Sequence, residues 1–272
     1  MADMYKGKIP IIKRSLDEGW LRGVGSMSFG CIPRDFSVDP VAMGDSPSAM
    51  KLVDPSEYDA RWEEDEANES SLEHLFLRGD KPAFELLDQD GFPDCWAHSS
   101  PHAMMLDRLK QHLPVVRFNG VAIATLLKQL NGGWCGLSMK FLRENGAPEV
   151  GTGPGQWPYQ SRHGKDTPEL RANMALHKDT SDWYDLGKQE YNQTLTQQQL
   201  YTCSFENWAM AADWNRFSHS MCLVRIVRVE KGVWAPLVLQ SWKGWGYYGL
   251  GVLLDFWPDN AVAIRSSTPS AT

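Results

Sequence analysis

The chain has 272 residues, enough for one large domain or two small ones that share a surface. Its 34 Asp and Glu outweigh 27 Lys and Arg, for a net charge of −7, and no basic run breaks that balance; this argues against nucleic-acid binding through a positive field. With 42% hydrophobic and 22% charged residues the composition is globular, and apolar stretches such as Gly120–Leu127 fall far short of the roughly 18–20 residues of a membrane span.

At the start, Lys6 and Lys8 are followed only by Pro10-Ile11-Ile12, not by the ~7–15 apolar residues of a secretory signal, so a cytoplasmic setting is expected. Residues 1–55 are rich in Gly and Pro without a sustained period, which predicts an extended arm wrapped on the body. From Ser56 to about Leu77 the pattern is helical, with Tyr58, Trp62, Leu72, Leu75 and Phe76 as the apolar stripe and Glu63 to Glu66 on a solvated face. Asp94 reads as the N-cap of a helix from Cys95 to about His112, kinked or delayed by Pro101. Further helices are expected over Val121–Leu130, over about Leu137–Glu144 before Asn145-Gly146, from Thr167-Pro168 to Lys178, and after Thr196. Beyond about Trp208, the β-branched and aromatic runs Met221–Glu230, Ala235–Trp242 and Tyr247–Phe256 read as strands. Helices first and strands later imply an α+β protein of two lobes, with a site at their junction.

The five cysteines (31, 95, 135, 203 and 222) are odd in number and include no CxxC pair, which rules out a four-thiolate zinc module and favours free thiols. Cys95 stands apart: in the first turn of a helix, unpaired N–H groups and the positive end of the dipole favour a thiolate. A cysteine nucleophile needs a base, and among seven histidines only His219 lies at the mouth of the strand region. Cys95, His98 and His102, spaced by three and four, form a rival metal-binding face; Pro101 disturbs its register and no fourth ligand follows, so no metal is expected. Residues 151–155 lack the Lys-Ser/Thr ending of a phosphate cradle and read as a loop.

Gln89, Cys95-Trp96-Ala97, Gly132-Gly133-Trp134, His219 and the block Gln240-Ser241-Trp242…Gly244-Trp245-Gly246 together resemble the papain-type cysteine peptidases, in the family's order and over about residues 86–256. The resemblance implies a papain-like two-lobed fold, with a helical N-terminal lobe (about 86–180), an antiparallel, barrel-like β lobe (about 195–260) and the active site in the cleft between them. Residues 81–272 would form this domain and 1–80 an arm plus helix, without the pattern of the family's inhibitory propeptide. It further implies a Cys95 thiolate–His219 imidazolium pair that cleaves peptide bonds, with an oxyanion held by the Gln89 amide and the Cys95 N–H. Trp242 would shield the imidazole's orienting bond, and Gly132 and Gly133 would let an extended substrate lie on bare backbone beside Trp134 and Trp96. Three departures stand out, the first being that Phe92 and Leu130 occupy the positions where secreted members place a disulfide, which fits a reducing compartment. The family's orienting asparagine is Gln240, one methylene longer, reaching His219 from a new angle or missing it; and Pro93-Asp94 replaces a small Gly-Ser pair. The expected partners are a protein or peptide substrate and, through the arm, assembly neighbours; no cofactor, nucleic acid or membrane is expected. The setting suggested is bacterial or phage-encoded, in host cytoplasm or virion, and an idle cleft kept as a structural module is the alternative.

Overall fold

The computed structural model describes residues 3–13, 30–34, 50–178, 181–186, 195–242 and 244–266; the rest of the expected arm, residues 14–29 and 35–49, lies outside the described residues. Near the start, β1 (Met4–Tyr5) and β2 (Ile9–Lys13) are strands, where composition suggested an irregular arm. A single 3-10 turn, Pro55–Glu57, leads into α1 (Tyr58–Asn68), then α2 (Leu72–Phe76) and the small hairpin β3 (Leu77–Arg78) and β4 (Lys81–Pro82). The helical lobe continues with α3 (Cys95–Lys110), α4 (Gly120–Leu126), α5 (Cys135–Asn145) and α6 (Pro168–Leu176). Next come β5 (Asp182–Leu186), α7 (Gln197–Phe205), β6 (Met210–Trp214), β7 (His219–Glu230), β8 (Val233–Leu239), β9 (Leu250–Leu254) and β10 (Asn260–Arg265).

Most helix starts follow local chemistry. Thr167 and Thr196 accept from the backbone N–H three residues on, and Gln199 closes a full capping box on Thr196. The helices α1, α3 and α5 start without a side-chain cap, and α3 departs furthest from what its sequence suggests. Asp94 makes no side-chain cap bond, and Pro101 sits inside the helix without ending it. Fourteen of the sixteen α3 residues are buried, so tertiary packing on every side carries a helix that propensity alone would break. Gly120 makes one of those contacts possible: a Cβ there would lie 2.7 Å from the His98 ring and 2.8 Å from the Ala97 carbonyl.

Eight strands form one sheet in the order β1-β2-β9-β8-β7-β6-β10-β5, antiparallel throughout except for β2 against β9. Its centre, β7, sends Cys222 and Val224 into the core shared with the helical lobe, and Met221, Leu223 and Ile226 into a second core behind the sheet. Burial on both faces is why this strand reads as an unbroken apolar run. A register shift between Leu223 and Arg225 interrupts it. There the fully buried Arg225 reaches Glu66 at 2.9 Å and Ser71 at 2.7 Å, while Lys6 joins the same carboxylates at 2.8 Å (Glu66) and 3.1 Å (Glu73). That ion cluster ties β1 and the helices before the cleft to the central strand. Among the described residues, no helix is long and apolar enough to cross a membrane.

Candidate active site

The cleft lies where the first turn of α3 meets the start of β7. Ser99 Oγ and Ser220 Oγ are 2.9 Å apart across this junction, and the Cys95 sulfur faces the backbone N–H groups of Ser220 and Gly30. One residue before Ser220, His219 places its Nε2 2.8 Å from Gln240 Oε1. The longer amide therefore reaches. The same oxygen accepts the Ser241 backbone N–H at 2.8 Å, and a backbone N–H can only donate. That contact fixes which end of the Gln240 amide is oxygen, and so puts the imidazole proton on Nε2. Nδ1 is left as the basic nitrogen. Trp242 stacks on the ring with centroids 4.5 Å apart and planes 28° apart, excluding water from the orienting bond.

Gln89 is wholly buried beside this pair. Its Oε1 accepts from Ser241 Oγ at 2.6 Å, and its Nε2 donates to the Phe92 carbonyl at 2.8 Å. One of its two amide protons is thus engaged in shaping the loop before Cys95. Asp94, in that loop, caps nothing with its side chain. Its carboxylate meets Arg162 at 3.4 Å and stands 3.7 Å from His98 Nε2. Burial raises Asp94 to about 6, with Arg162 pulling the other way. The Arg162 guanidinium also lies over the Phe92 ring at 3.9 Å, clamping both sides of Pro93.

Gly132, Gly133 and Trp134 form the opposite wall, with Trp96 wholly buried beneath: a Cβ on Gly133 would lie 2.7 Å from its ring. Trp96 therefore supports the floor of the cleft rather than facing into it. The wall is not bare. Residues 30–34 of the arm lie along it, with Cys31 joined to Gly133 by an isolated parallel bridge. Ile32 N–H donates to the Gly133 carbonyl (2.7 Å), Gly133 N–H to the Gly30 carbonyl (2.8 Å) and Cys31 N–H to the Ser218 carbonyl (3.0 Å). At the far end Arg34 pairs with Asp185 through both carboxylate oxygens, at 2.7 and 2.8 Å, and lies over the Trp134 ring at 4.0 Å.

Cys95 and His219 are both buried. Burial pushes the Cys95 thiol up to about 12, against the Ser220 and Gly30 N–H groups, and holds His219 down at about 4, against its bond to Gln240. Desolvation favours the neutral form of each group over the thiolate–imidazolium form. On the other side of Trp242, a cavity of about 560 Å³ is lined by Phe84, Leu86, Tyr159, Trp245 and Tyr248, among others. Leu87, Asp88 and Ser241 also line it, and it is large enough for a bulky side chain.

Sequence reasoning missed three contributors. Asp213, buried opposite Ser220, accepts the Cys135 N–H at 3.2 and 3.1 Å and is raised by burial; a lone Asp in an apolar stretch was its signal. Ser241, which orients both glutamines, stood in the Gln240-Ser241-Trp242 block with no role assigned, and the pair Arg34–Asp185 had no signal. Among the described residues no group of three or more His, Cys, Asp or Glu is placed to hold a metal ion, and the ring nitrogens of His98 and His102 are buried without a hydrogen bond, His98 Nε2 lying 3.7 Å from Asp94.

The orienting bond yields a first expectation. Gln240→Ala should slow Cys95 alkylation, measured at pH 7 with the arm displaced, by on the order of tenfold. Gln240→Asn, shorter by about 1.5 Å, should lose nearly as much, since the native amide already sits at contact distance. An unchanged rate in both would remove Gln240 from the site.

No protein-family model matches the chain, and no curated protein does. Solved structures do. Xylellain, a cysteine protease from Xylella fastidiosa, superposes with a TM-score of 0.57 at 13% identity, over 89% of this chain and 97% of that one. Procathepsin B S9 from Trypanosoma congolense gives 0.51 at 14%, over 97% and 94%. The digestive procathepsin L 3 of Tenebrio molitor larval midgut gives 0.51 at 14%, over 67% and 66%, so the chain spans about two thirds of it. At such identities the likeness establishes the fold, which is the two-lobed papain-like one.

Proposed function

We propose that the chain is a thiol-dependent peptidase of papain type, latent while its own residues 30–34 lie in the cleft. One observation supports it above the others: the Ser241 N–H and Gln240 fix the His219 tautomer, leaving Nδ1 as the basic nitrogen, on the residue before Ser220, whose N–H faces the Cys95 sulfur at a helix N-terminus. In this reading the arm withdraws and the thiol proton passes to His219 as water enters. The Cys95 sulfur adds to a peptide carbonyl, and the oxyanion takes the Cys95 N–H and the remaining Gln89 amide proton, donors worth roughly 3–4 kcal/mol each. The C–N bond breaks as His219 returns its proton to the leaving amine, and water then hydrolyses the thioester. Residues 81–272 are the catalytic unit and 1–80 the arm with its bracing helix. Substrates are proteins or peptides in extended form. All five cysteines are unbridged, which suits a reducing, cytoplasmic setting such as a bacterium or phage-infected cell. The filled cleft also favours a second reading, an idle fold used in assembly.

Iodoacetamide alkylation of the full chain, with modified residues located by mass spectrometry, separates the two. With the arm displaced, Cys95 should label selectively below pH 8, and His219→Ala should return it to the behaviour of an ordinary thiol, reactive only above about pH 8. Labelling spread evenly over accessible cysteines, with no dependence on His219, would sink the peptidase reading and leave the assembly one.

A further inference from the structure

Beside the nucleophile, one face of the sheet changes character at a single level. Toward the helical lobe it is apolar at Ala211, Cys222 and Val262, which lie in register on β6, β7 and β10. Two residues nearer the cleft, the same three strands carry Asp213, Ser220 and Asn260, again in register and all buried. Polar groups on the floor of a core need partners. Asp213 has one in α5, whose first N–H, that of Cys135, meets both carboxylate oxygens at 3.2 and 3.1 Å. A second comes from the arm. Cys31 sits opposite Gly133 and its thiol faces the Asp213 carboxylate. Cys31 is 3% exposed and its neighbour Ile32 is 47% exposed, so of these two side chains it is the thiol that enters the wall. The space it fills is shallow, since Cys135, Asp213 and Ser220 around it are packed into the core.

We infer that Asp213 determines the specificity of this cleft: the side chain that a bound peptide places opposite Gly133 enters a shallow pocket floored by the Asp213 carboxylate, which selects a small hydrogen-bond donor, serine or cysteine. The inference deepens the peptidase reading and rests on it for the claim that peptides enter at all. Gly133 presents both its N–H and its carbonyl, so peptide backbones of either direction can pair with it; the pocket, not the backbone, does the choosing. A carboxylate only accepts, so an apolar side chain of the same size forgoes the bond that Asp213 offers. Leucine, lysine and arginine are too long for a space that one thiol fills.

The test uses binding rather than turnover, on full-length protein throughout. In the chain itself, Cys31→Ser should leave Cys95 alkylation as slow as in the parent, whereas Cys31→Leu should speed it about tenfold or more, because the arm no longer seats. Two hosts with the arm displaced, Gly30→Ala and Cys31→Leu, are then alkylated at Cys95 in the presence of acetyl-Gly-Ser-Ile-Pro-amide, the arm's own segment with its cysteine made serine. Twin peptides carry aminobutyrate, which matches serine in size and lacks the donor, or leucine. At pH 7 the serine peptide should protect Cys95 about tenfold better than the aminobutyrate peptide in both hosts, and the leucine peptide should not protect. Without an acceptor in the pocket the first two would reverse, since burying an unbonded hydroxyl is costly. Asp213→Asn, which keeps an oxygen for the Cys135 N–H, should erase the serine preference; should that variant fail to fold, the ranking of the three peptides decides. Aminobutyrate equal to serine, protection by leucine, no protection by any of the three, or a serine preference that survives Asp213→Asn overturns the inference. The expected ranking without cleavage of any peptide would uphold the pocket and count against the peptidase. Cleavage indifferent to the residue opposite Gly133 would do the reverse.

Discussion

Gly30→Ala should raise the rate of Cys95 alkylation at pH 7 by a hundredfold or more, with no change at Gly30's neighbours that could itself create a nucleophile. A Cβ at residue 30 would lie 1.9 Å from the Pro93 carbonyl oxygen and 2.1 Å from its carbon. These are backbone atoms of the loop that Arg162 and Gln89 hold in place, so the loop cannot yield cheaply. What holds the arm down nearby is three backbone hydrogen bonds, worth about 0.5–1.5 kcal/mol each once exchange with water is counted. A clash of that depth opposes them on the same few residues, and the arm, not the loop, is the part that moves.

The gain in reactivity follows from water. Closed, the Cys95 thiol is pushed up to about 12; hydrated, it would return toward the ordinary value of about 8.5, so the thiolate fraction at pH 7 rises by about three orders of magnitude. Entry of the reagent adds to this. An unchanged labelling rate in Gly30→Ala, with folding intact by circular dichroism, would mean that residues 30–34 do not govern access to Cys95.

The parts of this architecture that local chemistry controls were readable from residues alone. Thr167-Pro168 and Thr196 mark real helix starts because a cap acts within four residues, and Met221 to Val227 reads as a strand because both its faces are buried. Cys95 and Trp242 were singled out within short runs of neighbouring residues, whereas His219 was singled out by its place near the strand region and its order after Cys95. Elements made by distant partners were not readable. β5 and β10 pair with each other across more than seventy residues, and β5 carries Asp182 and Asp185, which look like a surface loop. β2 earns its place only from a parallel neighbour near the other end of the chain. Residues 30–34 have no period at all: what places them is hydrogen bonding to Gly133 and Ser218, about a hundred or more positions away. The absence of a recognisable propeptide pattern said nothing about whether another segment covers the cleft. At Asp94 the local rule failed for a physical reason, since Arg162 draws the carboxylate away from the helix N–H groups it would otherwise cap.

Acidification should unfold the protein well before its carboxylates are spent. His98, His102 and His219 are fully buried, and desolvation holds them at about 4, about 3 and about 4, with His98's charge repelling a proton on His102 as a second cause. In the unfolded chain each returns to about 6.5. A depressed histidine contributes stability above its unfolded pKa and loses it as pH falls toward the folded value, so near pH 5 unfolding takes up about three protons. Asp94, raised to about 6, runs the other way: the folded state binds its proton first, offsetting about one of the three. Asp213, also raised by burial, acts with Asp94, while the half-buried His74 and His177, both lowered, act with the other histidines. A net uptake near two protons gives a slope of roughly 3 kcal/mol per pH unit. Against a total stability of about 5–15 kcal/mol, the step from pH 6.5 to 4.5 removes a large share. Urea midpoints measured from pH 7.5 to 5 should therefore fall steeply, and a flat profile would contradict the burial of these rings. His102→Leu isolates the cause. Both His102 ring nitrogens lack a hydrogen-bond partner among the described residues, so an apolar side chain forfeits none. That variant should match the parent at pH 7.5 or exceed it, and should lower the slope by about 1.4 kcal/mol per pH unit, the share of one proton.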